Sequence, residues 1–208
     1  MAALERLYDH LATRSGDIAD LSALASFCEV SRAAIDRWTR ALEQADLAVR
    51  LYRFTGRGKP NPASRPKLYV SDPGIVAAFG APADHGRLVE AAALRHLAEV
   101  VASRDGQIGY FLETRGAEID FVVRAPNADE ALAIEVTSSE MVRDEKTQKL
   151  RAALRSSGLR RALLVHRGWD SESREYSEGI IRTVPLVRFL SLCSAPETGT
   201  AQLWEAGS

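Results

Sequence analysis

The chain has 208 residues, of which 46% are apolar, and its formal net charge is −1. This length and composition fit one ordinary globular domain or two small ones. No apolar run approaches the roughly 20 residues that span a bilayer, and the N-terminal residues lack the apolar centre of a signal peptide, so we expect a cytoplasmic protein without a membrane partner. Cys28 and Cys193 belong to no CxxC pair, which argues against a disulfide framework or a thiolate zinc site.

The first 46 residues carry three helical patterns. A helix is predicted over about residues 3–13, and a second follows Asp20 in "LSALASFC". A third begins after Ser31, which suits the N-cap position, and it repeats Ile35, Trp38 and Leu42 along one face. The short turn between the last two helices predicts a helix-turn-helix.

A basic hairpin is predicted next. The alternating runs "AVRLYRF" and "PKLYVSD" flank "TGRGKPNPASR", whose glycines and prolines predict irregular structure. Six basic residues and no acidic ones lie between Asp46 and Asp72. Three helices and a basic hairpin together predict a winged helix over residues 1–80.

The remaining sequence predicts a second domain. The stretch "GAPADHG" at residues 80–86 interrupts the helical pattern, and a helix is predicted over about 86–103. Strands are predicted at about 108–113, 117–124 and 131–136, a helix at 142–156, a strand in "RALLVH", and a strand and helix in "TVPLVRFLSLC". This order predicts an α/β domain over residues 86–195 with a mixed sheet flanked by helices, and a peripheral tail over 196–208.

Acidic residues interrupt two of the predicted strands. Alternation places Glu135 and Thr137 on one face of a strand, and if the neighbouring strand pairs with it, Asp120 converges with Glu135. A buried carboxylate pair is unfavourable unless a cation or protonation relieves its charge, and oxygen-only ligation suits Mg²⁺ or Mn²⁺. The alternative is that one or two of these acids pair with arginines at the margin of the sheet. Helical spacing places Glu90 on the face that should meet the sheet, which makes it a candidate third ligand.

These motifs match a known pattern. "EID" followed by "IEVT" resembles the PD-(D/E)XK signature of nucleases with a restriction-endonuclease-like fold. The order of "VSRAAIDRWTRALEQADL", "PKLYVSDPGIVAAF", "LVEAAALRHL", "GAEIDFVV" and "IEVTSS", over roughly residues 18–158, resembles the C-terminal region of prokaryotic AAA-type ATP-binding proteins, a domain of unknown function. That resemblance implies a winged helix followed by a nuclease-like domain with an acid-lined site. If the site is active, Asp120 and Glu135 would hold the metal ion, and Glu90 would complete its shell or orient water.

The sequence departs from the nuclease pattern in one catalytic position. Thr137 stands where the motif has lysine, and a neutral hydroxyl does not stabilise developing phosphate charge equally well. Lys146 and Lys149 on the following helix, or Arg115 before the strand, are candidate replacements. The run "GRGKPNP" lacks the spacing of a phosphate-binding loop, so we expect no bound nucleotide and no ATPase in this chain.

A DNA-binding surface is predicted on the winged helix. The acids Asp36 and Glu43 also lie on the outer half of the third helix, where they would repel a duplex. The hairpin contacts have the alternative that the basic loop is simply solvated. The candidate contacts to phosphates or base edges are Arg32, Arg37, Arg40, Gln44, Arg57, Lys59 and Arg65.

Three functions remain open from the sequence. The first is a DNA-associated protein, binding double-stranded DNA, whose nuclease-like domain cleaves phosphodiesters with Mg²⁺ or Mn²⁺ if it is active. The second is a non-catalytic DNA-binding regulator whose degenerate nuclease fold serves homodimerisation or protein binding. The third is an interaction module that contacts a protein partner and no nucleic acid. Trp169 and Tyr176 either stack on a base or cover the core.

Overall fold

A computed structural model describes residues 2–55, 59–79, 85–113, 116–126 and 131–194. The chain forms two compact units, Met1–Tyr52 with Pro62–Ala92 and Arg53–Asn61 with Ala93–Ser208. The boundary predicted at residues 80–86 and the tail predicted at 196–208 fall largely or wholly outside the described residues. The fold is mixed α/β, and the described part of the chain contains seven helices.

The first unit begins with three short helices, of which the second and third carry the N-terminal caps that the sequence indicates. The Asp20 carboxylate accepts hydrogen bonds from the backbone amides of Ser22 and Ala23, and the Ser31 hydroxyl accepts one from Ala34. Both side chains satisfy amides that a helix start leaves without partners. The helices are α1 (Ala2–Thr13), α2 (Leu21–Cys28), α3 (Arg32–Gln44), α4 (Pro73–Phe79) and α5 (His85–Ala102), of which α5 continues past Ala92 into the second unit.

An antiparallel strand pair follows the three helices. β1 (Ala48–Phe54) pairs with β3 (Lys67–Val70) over residues 48–51 and 67–70. The expectation that the connecting Gly/Pro segment is wholly irregular is wrong, because β2 (Pro60–Asn61) pairs with the end of β1. This two-residue strand belongs with residues 53–61 to the second unit. β2 is an edge strand at the end of the strand order. Proline has no N–H to donate to a further strand, and an edge strand does not need one on its outer side.

The core of the first unit is built from one face of each helix. Ile35 and Leu42 are buried and Trp38 is partly buried against them, as the spacing in α3 predicts. Burying each large aliphatic side chain contributes roughly 1.5–3 kcal/mol to folding, so these apolar stripes account for the packing of the helices. The buried members of the cluster are Leu7, Leu11, Ala12, Leu24, Ala25, Cys28, Ile35, Leu42, Ala48, Leu68, Val70, Val76 and Ala91.

The second unit contains a mixed sheet with the strand order β2-β1-β4-β5-β6-β7-β9-β8, in which β1 takes part through its last residues. β4 pairs antiparallel with β5 and β5 with β6, whereas β6 with β7 and β7 with β9 are parallel. The remaining elements are β4 (Gln107–Leu112), β5 (Glu118–Arg124), β6 (Leu132–Val136), α6 (Asp144–Ser157), β7 (Arg161–His166), β8 (Ser173–Tyr176), β9 (Gly179–Pro185) and α7 (Leu186–Cys193).

The burial of a strand explains whether it could be predicted from the sequence. β7 reads "RALLVH" and is buried at every position after Arg161, the apolar run expected of a strand covered on both faces. β8 reads "SREY" and pairs only with β9 at the end of the strand order, so its polar, exposed side chains leave no hydrophobic signal. The sequence therefore did not predict β8. Leu150, Ala153 and Leu154 of α6 pack on a cluster that includes Ile119 and Ala133 of the sheet.

Both cysteines are buried free thiols, in agreement with the expectation from their sequence positions. Burial raises the pKa of the Cys193 thiol to about 12. Within the described residues, no helix combines the length and apolar character needed to cross a bilayer.

A buried carboxylate holds the β8–β9 turn against α6. Glu178 is paired with Arg155 and Arg151, and the Arg151 guanidinium also lies 4.6 Å from the ring centroid of Tyr176. Tyr176 packs on the core cluster, which supports the core-covering alternative for this residue. Hydrogen bonds from Arg155 and then Arg151 lower the pKa of Glu178 to about 2.

We predict that Glu178→Gln reduces the acid sensitivity of the protein. A carboxyl group whose pKa is lower in the folded state stabilises that state above its unfolded pKa, and this stabilisation is lost as the pH falls. The loss should occur between about pH 4.5 and pH 2. Thermal unfolding midpoints measured across this range should fall less steeply in the variant than in wild type. Glu175→Gln, in the exposed strand β8, should behave like wild type; equal slopes in all three proteins would contradict the prediction.

Candidate functional site

Two acidic side chains meet on neighbouring strands of the second unit. β5 and β6 pair with Phe121 opposite Ile134 and Val122 opposite Ala133. One further step of this antiparallel register places Asp120 opposite Glu135, and directly opposed residues project from the same face of a sheet. The Asp120 carboxylate accepts a hydrogen bond of 2.8 Å from the backbone amide of Val136, which fixes it at the end of β6. The structure therefore brings Asp120 and Glu135 together.

A lysine from the following helix completes this pair. Lys146 lies in the first turn of α6, and its Nζ donates a hydrogen bond of 2.9 Å to Oε1 of Glu135. The ammonium group remains partly exposed, whereas the Glu135 side chain is only 13% exposed. Of the two lysines that the sequence offered as replacements for the motif lysine, Lys146 is the one that contacts Glu135.

The positive charge near Glu135 only partly offsets the unfavourable burial of its carboxylate. Burial and the neighbouring Asp120 raise the pKa of Glu135 to about 8, although Lys146 acts in the opposite direction. Within the described part of the chain, Oε2 of Glu135 is buried and has no hydrogen-bond partner. A buried oxygen without a partner is unfavourable unless a proton or a cation satisfies it. The second oxygen of Glu135 is thus available to a ligand.

Thr137 forms hydrogen bonds that stabilise the turn after β6. Its amide donates to the carbonyl of Val165 at 2.8 Å, which extends the parallel pairing just past the end of β6. Its hydroxyl accepts a hydrogen bond of 3.3 Å from the amide of Ser139, and the residue is buried. A short side chain suits this turn because it satisfies a local amide without leaving the interior. Thr137 thus shapes the exit of the chain from β6.

Glu90 is engaged within the first unit. Glu90 belongs to the first unit, where it accepts a 2.6 Å hydrogen bond from the Tyr69 hydroxyl and lies 3.9 Å from Nζ of Lys67. Among the described residues, no group of three or more His, Cys, Asp or Glu side chains is arranged to hold a metal ion. The expectation that Glu90 joins Asp120 and Glu135 as a ligand stays a prediction, because Glu90 and the two acids belong to different units.

Lys149 pairs with an acid of its own helix. It forms an exposed ion pair of 2.7 Å with Glu145, one turn earlier on the same helix. Such a pair is a common surface feature with a small effect on stability. Arg115 lies outside the described residues, and so does Arg57 of the predicted DNA contacts.

A cleft in the first unit carries several of the predicted DNA contacts. Arg32, Arg37, Arg40 and Gln44 are all exposed on α3. Arg32 and Arg40, with Arg65 from the segment before β3, line a cavity of about 690 Å³. Arg65 is paired with Asp20 at 3.1 Å. Lys59 is also exposed, in the segment that belongs to the second unit.

Arg50 is a site residue that sequence reasoning missed. Its guanidinium lies 3.3 Å from Asp36 and 3.0 Å from Glu43, and its side chain is almost wholly buried. Arg40 binds Asp36 as well, at 2.7 Å, and this hydrogen bond lowers the pKa of Asp36. The two acids expected to repel a duplex are therefore neutralised by neighbouring arginines. Position 50 shows only a basic residue in a strand, so no sequence signal marks this role.

Two domain families match this chain, one over each part of its length. An α/β unit with a half-buried carboxylate pair and a lysine from α6 occupies the part of the chain that matches the second of these domains. The chain belongs to the family described as a domain of unknown function (DUF4143), which it matches over residues 85–189. Residues 1–85 match another domain of unknown function (DUF8612). DUF4143 occurs in AAA-ATPase-associated proteins, which confirms the broad part of the resemblance drawn from the sequence. No curated protein and no solved structure shows significant similarity.

We predict that Glu135 makes the metal-free protein less stable as the pH rises. A carboxyl group with a raised pKa binds a proton more tightly in the folded state, so the free energy of unfolding falls between the two pKa values. For Glu135 this window runs from about 4.5 to about 8. In the presence of a chelator, the decline should exceed that of Glu135→Gln by an amount on the order of a few kcal/mol.

The matched control is Glu140→Gln, which changes an exposed carboxylate in the loop after β6. It should keep the wild-type pH dependence of unfolding. If Glu135→Gln shows the same decline as wild type and as this control, Glu135 does not have a raised pKa in the folded protein.

Proposed function

We propose that the second unit is a PD-(D/E)XK-type, metal-dependent phosphodiesterase that acts on DNA. The observation that carries the proposal is the contact of 2.9 Å between Lys146 Nζ and Glu135 Oε1, with Asp120 opposite Glu135. An Asp, a second acid and a lysine in one cluster are the residue types of the nuclease signature. In this chain the lysine comes from α6 and not from the strand position occupied by Thr137.

The donor set suits a hard divalent cation. Mg²⁺ is commonly held by one or two carboxylates, with water and substrate phosphate as the other ligands. Asp120 and Glu135 supply the carboxylates, and Oε2 of Glu135 is a buried oxygen that needs a partner within the described structure. When bound, Mg²⁺ or Mn²⁺ would polarise a phosphoryl oxygen and lower the pKa of a water molecule.

Lys146 is suited to stabilise charge on the substrate. The amide of Val136 orients Asp120, and the sheet holds Glu135, so the two acids are fixed before any ligand arrives. Lys146 is partly exposed, and its ammonium has three donors, so it can contact a phosphate oxygen while it stays near Glu135. The loss of a donor of this type reduces catalysis by a factor of about 100–1,000.

We predict that moving the lysine back to the motif position restores activity. The full chain should nick supercoiled plasmid with Mn²⁺ or Mg²⁺, and Lys146→Thr should reduce the rate by about 100-fold. The double variant Thr137→Lys with Lys146→Thr should regain a substantial part of the lost rate, because Thr137 follows Glu135 on the same side of the strand. Plasmid nicking over time measures all three proteins.

The matched control is Lys149→Thr, which removes an exposed lysine from the next turn of the same helix. This variant should cleave like wild type, whereas Asp120→Asn with Glu135→Gln should not cleave. Wild-type cleavage no greater than that of this double variant would reject the phosphodiesterase. Equal losses in Lys146→Thr and Lys149→Thr would reject the specific role of Lys146.

A second function is favoured by the first unit, which we propose to be a winged-helix DNA-binding domain. Exposed arginines line α3 and its cleft, and Arg40 and Arg50 together neutralise the two acids that would oppose a duplex. Arginines placed in this way position a protein on the phosphate backbone. If the second unit lacks catalytic activity, this surface alone supports the role of a DNA-binding regulator.

We predict that Arg32→Ala with Arg37→Ala weakens duplex binding in a gel-shift assay. Each lost phosphate contact should reduce the slope of log affinity against log salt by about 0.9. Arg14→Ala changes an exposed arginine of the same unit outside α3 and should have no such effect. Failure of the wild-type protein to bind any duplex at low salt would leave a protein-interaction module as the better explanation of this unit.

A further inference from the structure

Two large apolar side chains project from neighbouring loops of the second unit. Trp169 is 83% exposed and Met141 is 80% exposed. Neither contributes to a core cluster of the described residues. Trp169 lies in the loop that follows β7, and Met141 lies in the loop that follows β6. We call these two side chains the apolar platform.

The two loops are joined by their backbones. The amide of Arg167 donates a hydrogen bond of 2.9 Å to the carbonyl of Ser139. Gly168 approaches so closely that an added Cβ would overlap the carbonyl oxygen of Glu140. Only glycine fits this approach. Met141 and Trp169 are the residues that directly follow this contact on their respective loops.

A buried histidine holds the loop that carries Trp169. His166 is 3% exposed, and its Nδ1 accepts a hydrogen bond of 3.1 Å from the amide of Gly168. Its other ring nitrogen, Nε2, is therefore the protonated one in the neutral ring and donates to the carbonyl of Asp170 at 3.0 Å. The loop is thus anchored on both sides of Trp169. An exposed ring on an anchored loop loses little conformational entropy when it binds a ligand.

The platform lies at the end of the sheet where the acids lie. β6 and β7 are adjacent and parallel, so both loops leave the sheet at the same edge. Glu135 is the residue before the last of β6, and four residues of extended chain to Ser139 reach at most about 14 Å. Arg143 and Arg167, which flank the platform in sequence, are both exposed and can meet a phosphate backbone.

We propose that Trp169 and Met141 stack on unpaired bases of single-stranded DNA beside the carboxylate pair. This inference rests on the proposed phosphodiesterase and assigns it a substrate with single-stranded character. A flat indole accepts any base, and a nearby arginine meets the phosphates, which together form the common device for binding single strands. A tryptophan offers only about 150–250 Å², far less than the roughly 800 Å² per partner of a standard protein interface.

The test measures binding of fluorescently labelled oligothymidylate by anisotropy. The full chain with Asp120→Asn, Arg32→Ala and Arg37→Ala is used in chelator, so that no cleavage occurs and the first unit contributes less to binding. Added to this background, Trp169→Ala should weaken binding by roughly 10- to 100-fold, because stacking on one aromatic ring is lost. Trp169→Phe should retain most of the affinity, and Met141→Ala should lose less than Trp169→Ala.

The matched control is Val187→Ala, which removes a 64% exposed apolar side chain from α7 of the same unit. It should bind like the background protein. Equal affinity in Trp169→Ala and this control would overturn the proposal. The proposal would also be overturned if sedimentation showed a dimer that Trp169→Ala dissolves while DNA binding stays unchanged. The binding assay needs no catalysis, so the two proposals can fail separately. If Trp169 contributes to binding but the wild-type protein does not cleave plasmid, only the phosphodiesterase proposal is rejected.

Discussion

The second unit holds two carboxylates side by side where little water reaches them. Such a pair is unfavourable in isolation, because burial removes hydration and the like charges repel. The amide of Val136 donates to Asp120 and the ammonium of Lys146 donates to Glu135, yet the pKa of Glu135 remains raised. The residual unfavourable term is the physical reason to expect a cation here. It also explains why Glu135 has both a raised pKa and, within the described residues, a buried oxygen without a hydrogen-bond partner.

The source of the positive charge separates this chain from the motif it resembles. In the motif the lysine follows the second acid on the same strand, whereas here a helix supplies it from eleven residues beyond Glu135. The strand position is then free for Thr137, which satisfies the turn after β6. The presence of Thr137 in place of the motif lysine therefore does not mean that the acids lack a neighbouring positive charge. The charge at the acids can be assessed only from the tertiary arrangement.

Both units contain arginines that neutralise acids of other segments. In the first unit, Arg50 reaches Asp36 and Glu43 from β1, so that α3 presents basic groups outward. In the second unit, Arg151 and Arg155 hold Glu178 and the turn between β8 and β9. Both sets join segments distant in sequence. Their contributions are therefore invisible to local charge counting, which treated Asp36 and Glu43 as repulsive.

The sequence by itself determined the local elements and the direction of their faces. Capping residues such as Asp20 and Ser31, apolar spacing in α3, and alternation in β6 are local properties, and they predicted helices and strands that the structure contains. Only the tertiary structure decided what these elements bring together. The β5–β6 register, the reach of Lys146, the engagement of Glu90 with Tyr69, and the pairing of β2 and β8 all depend on contacts between separate segments. Periodicity shows which way a side chain points, but it contains no information about which distant group it meets.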